Sequence, residues 1–496
     1  MNCLRSVAKG IRFDVKKYKN DADIFAVKKQ SEQCKNIGAP FQAPVDMSDI
    51  TNDRSDKKSL TNEKDRIRRL RKERKIYVKG EDISKPVESF QELQQLTSCE
   101  IVFQNINKLG FKEPTPVQMQ TIPLLLDRRE LICCAPTGSG KTLSFLLPLI
   151  LDLKEPKNCG FRAIILAPTR ELAKQTHREC IILSEGTGLR IHLIKNVYLA
   201  KKQFGLCSKL KFDILVTTPK RLAFLVQQKP MAININNIQW LVVDECDKLF
   251  EKSFREQLAV IYNAVANSNS QVCRALFSAT FDKELHSWFE LNLDNVVTVI
   301  IGRKNRACES VKQKFMFVGS EEGRRMALCD LITSGLDVPV LVFVKNIEKA
   351  KTLSKQLSLD GIRVGVIHSE KRNEERDSVI REFREGKIWF LICTELMSRG
   401  IDFKGVNIII NYDFPLSHIE YIHRIGRTGR AGRLGEAITF FTEHDIKRCP
   451  KMINIMRSTG SSIPVHLLDE FSRKRKSGVM EEQQQKYMYI KRKNND

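Results

Sequence analysis

The stretch APTGSGKT, residues 135–142, decides the fold. It follows the apolar run LICC and leads into the apolar segment TLSFLLPLI, which predicts a buried strand, a glycine-rich turn and a helix in that order. In this context the glycines let backbone N–H groups approach a phosphate, and the helix N-terminus adds partial positive charge. Lys141 then suits the β- and γ-phosphates of a nucleotide and Thr142 suits Mg²⁺, although Ala135 stands where the common pattern has glycine. A glycine-rich turn without nucleotide is the alternative.

Short β-branched runs alternate with helical-length segments on both sides of this loop. Continuous apolar runs of this kind are typical of parallel strands buried on both faces of a sheet. We therefore predict an α/β fold of two tandem doubly wound parallel-sheet domains, at 88–305 and 306–460, joined near Arg303 to Ser310. The runs are LICCA (131–135), AIILA (163–167), ILVTT (214–218), LVVD (241–244), ALFSA (275–279), KFMFV (314–318), VLVFV (340–344), VGVIH (364–368), IWFLICT (388–394), VNIIINY (406–412) and AITFF (437–441).

The chain is strongly basic, with 83 Lys and Arg residues against 59 Asp and Glu residues, a formal net charge of +24 over 496 residues. A polyanionic partner is the first hypothesis from that charge. Basic, partly disordered extensions are expected at 1–87 and 461–496. The segment from Lys57 to Lys79 carries eleven basic and three acidic residues and is expected to be partly helical, either as a solvated arm or as a contact for RNA or a partner.

Several classes of protein are disfavoured by composition. The longest apolar stretch, Thr142 to Leu153, is far shorter than the ~20 residues that span a bilayer, and the N-terminus lacks a signal-peptide apolar block. We therefore expect no membrane association. The 14 cysteines form no C-x-x-C pair, which argues against a zinc site or a disulfide framework and favours a reducing compartment.

Two further clusters follow predicted strands. LVVDECD places Asp244 and Glu245 at a strand end, where one carboxylate can hold the Mg²⁺ shell and the second can orient and deprotonate an attacking water. A helix cap is the alternative for this pair alone. YIHRIGRTGR (421–430) spaces Arg424, Arg427 and Arg430 at i, i+3 and i+6, on one side if helical, as cations that a second domain could deliver to a transition state. A solvated basic helix is the alternative there.

With these residues in hand, the chain resembles a DEAD-box RNA helicase over about residues 88 to 460. The resemblance rests on the order and spacing of the motifs as well as on their content. It implies two RecA-like domains, ATP with Mg²⁺, and an RNA substrate. Beyond the clusters above, the motifs are GFKEPTPVQ (110–118), PTREL (168–172), TPKRL (218–222), SAT (278–280), TELMSRGID (394–402) and NYDFP (411–415).

The resemblance also implies roles for individual residues. Catalysis would use Lys141, Asp244, Glu245 and the arginine fingers Arg427 and Arg430, with Thr142 and Asp244 holding Mg²⁺, the latter through water. Asp247, Ser278, Thr280 and His423 would couple the ATP state to domain closure. RNA phosphates would be held by Thr169, Arg170, Thr218, Arg221, Thr394 and Arg399, with a helix N-cap as an equal alternative for Thr218 and Thr394. ATP would contact Phe111, Gln118, Ala135, Pro136, Thr137, Gly138, Ser139, Gly140, Lys141, Thr142, Gly400 and Asp402.

Three departures from the family pattern stand out. Cys246 replaces the usual alanine of the acidic motif and Lys220 the usual glycine of the TPKRL motif. The family's Gly-Gly has no counterpart in HLIKNVYLAKKQ (192–203), although Lys201 and Lys202 could substitute electrostatically for RNA binding.

Segments at Ile76 to Ile83 and Ser184 to Gly188 resemble the nucleolar branch that acts in small-subunit pre-ribosomal RNA processing. That branch implies a monomer in the nucleus and nucleolus, with pre-rRNA and pre-ribosomal particle proteins as partners. Two alternatives to an unwinding enzyme remain open: an ATP-gated RNA clamp whose hydrolysis times its release, and a DNA helicase.

Overall fold

A computed structural model describes residues 53–97, 99–205, 208, 211–268, 271–280, 293, 295–302, 310–394, 405–429 and 433–461. Two parallel-sheet domains follow one another along the chain. The first contains α1 (Asp53–Glu73), β1 (Ile76–Lys79), α2 (Phe90–Leu96), α3 (Glu100–Lys108), α4 (Pro116–Leu126), β2 (Leu131–Cys134), α5 (Lys141–Leu153), β3 (Ala163–Leu166), α6 (Arg170–Leu183), β4 (Ile191–Leu193), α7 (Val197–Gln203), β5 (Ile214–Thr217), α8 (Pro219–Val226), β6 (Trp240–Val243), α9 (Cys246–Leu249), α10 (Lys252–Ala266), β7 (Cys273–Ser278) and β8 (Val297–Ile301).

The second domain begins after residue 309. It contains β9 (Val311–Phe317), α11 (Glu321–Thr333), β10 (Val340–Val344), α12 (Ile347–Leu359), β11 (Val364–Ile367), α13 (Asn373–Arg384), β12 (Phe390–Thr394), β13 (Ile408–Asn411), α14 (His418–Ile425), β14 (Gly435–Phe441), a 3₁₀ helix (Glu443–Arg448) and α15 (Cys449–Ser458).

Both sheets have the order of a doubly wound fold. The first has eight strands in the order β1-β8-β2-β7-β6-β3-β5-β4, and the second has six in the order β11-β12-β10-β13-β14-β9. All pairs are parallel except β1 with β8, where Ile76 pairs with Ile301. The predicted fold class is confirmed, and the carboxyl ends of the parallel strands collect the polar motifs at one edge of each sheet.

The central strands of each sheet are buried on both faces, which explains their continuous apolar runs. Along β3, Ala163 and Ile165 belong to one hydrophobic cluster while Ile164 and Leu166 belong to the cluster on the other face. Strand β10 divides its five apolar residues between two clusters in the same way. Every position of such a strand is therefore selected for an apolar side chain.

Three strands are absent from the sequence prediction. β1 lies in the basic segment predicted as an extension, so the first sheet begins at Ile76, before residue 88. β4 has only three residues and β8 is a buried VTVII run. The predicted helix in the arm is confirmed as α1, where Arg71 donates to Gln120 Oε1 at 2.9 Å and to the Ser84 carbonyl oxygen at 3.1 Å. The arm is thus joined to the first domain.

Within the described part of the chain, no helix combines the length and apolar character needed to cross a membrane. The ten cysteines that the structure describes are free thiols. The same residues contain no group of three His, Cys, Asp or Glu side chains suited to a metal ion.

Candidate functional site

The phosphate-binding loop joins β2 to α5 and is shaped by two glycines. Gly138 has φ 75° and Gly140 has φ 93°, a region that glycine adopts without a steric penalty. A methyl group on Gly140 would lie 2.5 Å from Nε2 of Gln118, so a larger residue is excluded. Lys141 Nζ donates to two backbone carbonyl oxygens of the loop, at 2.6 and 3.0 Å, which places its charge inside the turn. The other predicted loop residues, Ala135, Pro136, Thr137, Ser139 and Thr142, line the same turn.

Gln118 connects this loop to the segment before it. Its Oε1 accepts from the backbone N–H of Thr115 at 2.9 Å, and its Nε2 donates to the carbonyl oxygen of Gly140 at 3.1 Å. The side chain is buried, whereas Phe111, seven residues earlier, is 43% exposed. The structure therefore gives Phe111 a ring surface open to a ligand and fixes Gln118 against the loop.

The acidic motif begins where β6 ends. Burial first, and then the charge of Glu245, raise the pKa of Asp244 to about 7, while the charge of Lys141 opposes both effects. Burial also lowers the pKa of Lys141, with Asp244 as the main opposing charge. Asp244 Oδ1 accepts from the Glu245 backbone N–H at 2.9 Å, and Glu245 itself has φ 49°, a strained conformation for a residue with a side chain. This turn directs the two carboxyl groups to different places.

Three buried polar atoms at this site have no hydrogen-bond partner among the described residues, and two of them face the expected phosphates and the attacking water. These two are Ser139 Oγ in the loop and Glu245 Oε2 in the acidic motif, and the third is Thr115 Oγ1. Buried oxygens without partners are costly, and such atoms are found where a ligand, ion or water completes the site. The donor and acceptor set therefore fits a bound nucleotide with its cation. Cys246, the departure next to them, is buried with its pKa raised by that burial, so it packs as a neutral thiol.

Asp247 is the centre of the coupling cluster. Ser278 Oγ donates to its Oδ1 at 2.9 Å and Thr280 Oγ1 donates to its Oδ2 at 3.1 Å. His423 Nε2, from the second domain, lies 3.0 Å from the same Oδ2. The structure thus brings together all four residues predicted to couple nucleotide state to closure.

The end of α14 decides what each arginine of the YIHRIGRTGR motif contacts. The helix ends at Ile425 with Gly426 as its C-cap, so Arg427 lies beyond the helix and the condition for a shared helical side is not met. Arg424 lies within the helix, pairs with Glu420 and donates to the carbonyl oxygen of Asp413 at 2.8 Å inside the second domain. Arg427 follows the helix, and its Nη2 lies 3.6 Å from Glu245 Oε1 of the first domain. Arg430 lies outside the described residues, as do Gly400, Asp402 and Arg399.

The predicted RNA residues lie at helix N-termini of the first domain. Thr169 caps α6, its side chain accepting from the Leu172 N–H at 3.2 Å. Thr218 occupies the cap position of α8, but its side chain makes no capping bond. Arg221 donates to the carbonyl oxygen of Ile194 at 2.6 Å. Burial lowers the pKa of Arg221, and the neighbouring charge of Arg170 lowers it further.

Arg170 and Arg221 place two positive charges close together, and such a pair favours the binding of an anion between them. Arg170 Nη1 is also buried without a partner among the described residues, so it is available to donate to such an anion. In the second domain, Thr394 ends β12 and is half-buried.

Comparison with known families identifies the chain. Residues 115–288 match the DEAD/DEAH box helicase family, and residues 323–432 match the helicase conserved C-terminal domain. The chain is a DEAD-box RNA helicase. It is 51% identical over 408 residues to the "Probable ATP-dependent RNA helicase DDX52" of Mus musculus, covering 82% of this chain and 68% of the relative. It is 39% identical to the ATP-dependent RNA helicase ROK1 of Vanderwaltozyma polyspora, covering 82% of this chain and 72% of that protein.

A solved structure shows the same two-domain arrangement. S. cerevisiae Dbp5 bound to RNA and ADP BeF3 matches with a TM-score of 0.65 and 27% identity, covering 79% of this chain and 99% of that chain. The DEAD-box helicase described here is accordingly an ATP-dependent RNA helicase, an RNA-dependent ATPase built from two RecA-like domains.

Two ion pairs between the domains of this helicase escaped the sequence analysis. Arg376 of α13 donates to Glu171 Oε1 of α6 at 2.9 Å, and Lys174 pairs with Asp377 on the same two helices. Glu171 lies inside the PTREL motif, but charge patterns between helices 200 residues apart carry no spacing signal. Only the folded arrangement shows that α6 and α13 face each other across the cleft.

Proposed function

We propose that this helicase hydrolyses ATP only when its two domains close, because each domain supplies part of the catalytic group. The observation that carries the proposal is the approach of Arg427 from the second domain to Glu245 of the first, at 3.6 Å. The phosphate loop, Gln118 and the acidic motif belong to one domain alone. ATP could therefore bind to the first domain while turnover waits for the second.

The chemistry divides among named side chains. Lys141 pairs with the β- and γ-phosphates. Glu245, whose Oε2 is buried and has no partner in the described part of the chain, orients the attacking water and accepts its proton. Arg427, with Arg430, stabilises the charge that develops on the transferred phosphoryl group. Thr142 and Asp244 would hold Mg²⁺, which supplies charge neutralisation to the phosphates when bound. A buried Asp244 whose pKa is raised to about 7 is a carboxylate that a cation would stabilise.

RNA would bind along the helix N-termini that carry Thr169, Arg170, Thr218 and Arg221, and continue to Thr394 and Arg399 on the second domain. Hydroxyl and guanidinium groups contact phosphate and sugar without reading base edges. The grip is therefore nearly independent of sequence, and closure around it bends one strand so that a short duplex separates locally. A strand-displacement assay on a short duplex distinguishes unwinding from a clamp that only times its release. A competition between RNA and DNA of one sequence distinguishes an RNA from a DNA helicase.

The biological setting belongs to the same proposal. We place the enzyme in the nucleolus as a monomer that acts on pre-ribosomal RNA of the small subunit, with pre-ribosomal particle proteins as partners. Support comes from the branch-like segments at 76–83 and 184–188 and from the net charge of +24. Crosslinking the protein to cellular RNA and mapping the sites tests this directly. Crosslinks spread over messenger RNA, with none in pre-ribosomal RNA, would contradict it.

A further inference from the structure

Helices α7 and α8 expose a pair of aromatic rings on the first domain. Tyr198 is 73% exposed and Phe224 is 38% exposed, and their ring centroids lie 6.5 Å apart at an interplanar angle of 68°. The first turn of α7 is fixed by Asn196, whose Oδ1 accepts from the Tyr198 N–H at 2.8 Å. Single exposed apolar residues are ordinary, but two neighbouring rings presented by two adjoining helices form a defined surface.

Cations flank both rings. Tyr198 precedes Lys201 and Lys202 by three and four positions, and Phe224 follows Lys220 by four, so each ring shares a helix side with lysines. Lys201 Nζ donates to Gln228 Oε1 at 3.1 Å, which ties α7 to the segment after α8. We call these five side chains, Tyr198, Phe224, Lys201, Lys202 and Lys220, the aromatic platform.

The segment that carries the platform is predominantly basic. Between Ile191 and Pro230 the chain has seven lysines and one arginine against a single acidic residue, Asp213. That aspartate is fully buried and paired with Arg162 and Arg190, so it does not offset the surface charge. The occupant that suits an exposed ring pair in a lysine-rich segment is a polyanion that also carries flat apolar groups.

We infer that the aromatic platform binds single-stranded RNA by stacking a base on Tyr198 while the lysines hold the adjoining phosphates. The inference rests on the proposed RNA path, because Thr218 occupies the N-cap position of α8 and the helix carries Arg221 one turn before Phe224. RNA that contacts Thr218 and Arg221 can therefore extend along α8 to the platform. Aromatic rings accept any base, so the platform extends the grip without adding sequence preference. The platform residues on α7 lie in the segment 192–203, where the family's Gly-Gly has no counterpart.

The test measures RNA affinity of the full chain with a non-hydrolysable ATP analogue. The ligands are an oligouridine and a set of the same oligomer with one abasic position moved along it. Removing the base that stacks should weaken binding to wild type at least about fivefold, the lower end of what one stacked base contributes. Tyr198→Ala should weaken the intact oligomer by a similar factor and should no longer respond to that abasic position. Tyr198→Phe should retain the response.

Two controls separate stacking from general damage. Tyr77→Ala removes a tyrosine that is 57% exposed at the opposite edge of the same sheet, and it should leave RNA affinity unchanged. Lys202→Ala should flatten the dependence of log affinity on log salt by about 0.7, as the loss of one single-strand phosphate contact does, while Tyr198→Ala should leave the slope alone. An abasic profile identical in wild type and Tyr198→Ala would overturn the platform. Absence of ATP-dependent RNA binding in wild type would overturn the proposed function as well.

Discussion

The amide of Gln118 joins two segments of the nucleotide site through its hydrogen bonds. It accepts from Thr115 N–H and donates to the Gly140 carbonyl, so it links the segment before α4 to the phosphate loop. An amide has two acceptor lone pairs and two N–H donors, which leaves one of each for a ligand. One acceptor and one donor match the amino group and ring nitrogen of adenine.

We therefore expect the wild-type enzyme to prefer ATP over GTP, because guanine would leave a buried polar edge mismatched at a cost of ~1–3 kcal/mol. Gln118→Ala should lower ATP affinity and narrow that preference. Gln120→Ala is the matched control, since Gln120 lies on the same helix and contacts Arg71 and Ser84 instead. Titration of ATP and GTP against each variant measures the predicted change in affinity. Equal turnover of both nucleotides by wild type would refute the role of Gln118 in base selection.

The end of helix α14 is the element-scale feature that separates two arginines three positions apart. Arg424 is inside the helix and turned into the second domain, where it also lies over the ring of Phe343 at 5.1 Å. Arg427 follows Gly426, and its guanidinium lies at the first domain while its Nε donates to the His423 carbonyl oxygen at 3.1 Å. A shift of the helix end by one turn would change which arginine reaches Glu245.

Alanine at these two positions should therefore have different consequences. Arg427→Ala should lower RNA-stimulated ATP turnover by about a thousandfold, the scale of an arginine finger, with a nearly unchanged unfolding transition. Arg424→Ala removes the buried guanidinium that pairs with Glu420 and donates to the Asp413 carbonyl oxygen, and it should cost about 3 kcal/mol or more of unfolding free energy. Steady-state ATPase assays and urea unfolding of both variants separate the two roles. Equal loss of stability in both variants would contradict the assignment.

The strands and motifs were predictable from sequence to different extents. Strand runs such as AIILA were predictable because both faces of the sheet are buried, and the loop and acidic motif were predictable because strand-end chemistry is local. β1 was missed because its edge position leaves IYVK with only one fully buried residue. The pairing of Glu171 with Arg376 and the outcome for Arg424 depend on packing between distant segments, which no local spacing encodes.

At the scale of the whole molecule, closure brings Gly426 against the phosphate loop. A methyl group at Gly426 would lie 2.1 Å from Thr137 Oγ1 of the first domain. The φ of Gly426 is −70°, so alanine would be tolerated by the helix end itself. The constraint on this residue therefore comes from the approach of the other domain.

Gly426→Ala should hold the domains apart and lower RNA-stimulated ATP turnover sharply, while the melting temperature stays close to that of wild type. Gly205→Ala is the control, because a methyl group there meets nothing closer than 3.8 Å. Small-angle scattering with RNA and an ATP analogue should show a more extended particle for Gly426→Ala alone. A compact, active Gly426→Ala enzyme would mean that closure in solution differs from the arrangement described.

The segment from Lys57 to Lys79 carries eleven basic and three acidic residues, and we expect it to contribute to RNA binding through its charge. Deleting residues 1–85 would also remove β1 and the contacts of Arg71. Replacing Arg68, Arg69 and Lys72, which are exposed on α1, together by glutamine changes the charge and keeps these contacts. Each lost phosphate contact should flatten the salt dependence of single-stranded RNA binding by about 0.7 in the log–log slope. ATP affinity should not change. An unchanged slope for the triple glutamine variant would show that this face of the arm contacts protein or nothing.

The rate at which RNA dissociates in the presence of ATP tests whether hydrolysis in the closed cleft controls RNA release. Glu245→Gln keeps the shape of the side chain but cannot accept a proton from water, so the domains should still close and hold RNA longer than wild type does. Lys141→Ala loses a phosphate partner and should release RNA as fast as it does without nucleotide. If Glu245→Gln releases RNA as rapidly as Lys141→Ala, then hydrolysis in the closed cleft does not control release, and the central claim is wrong.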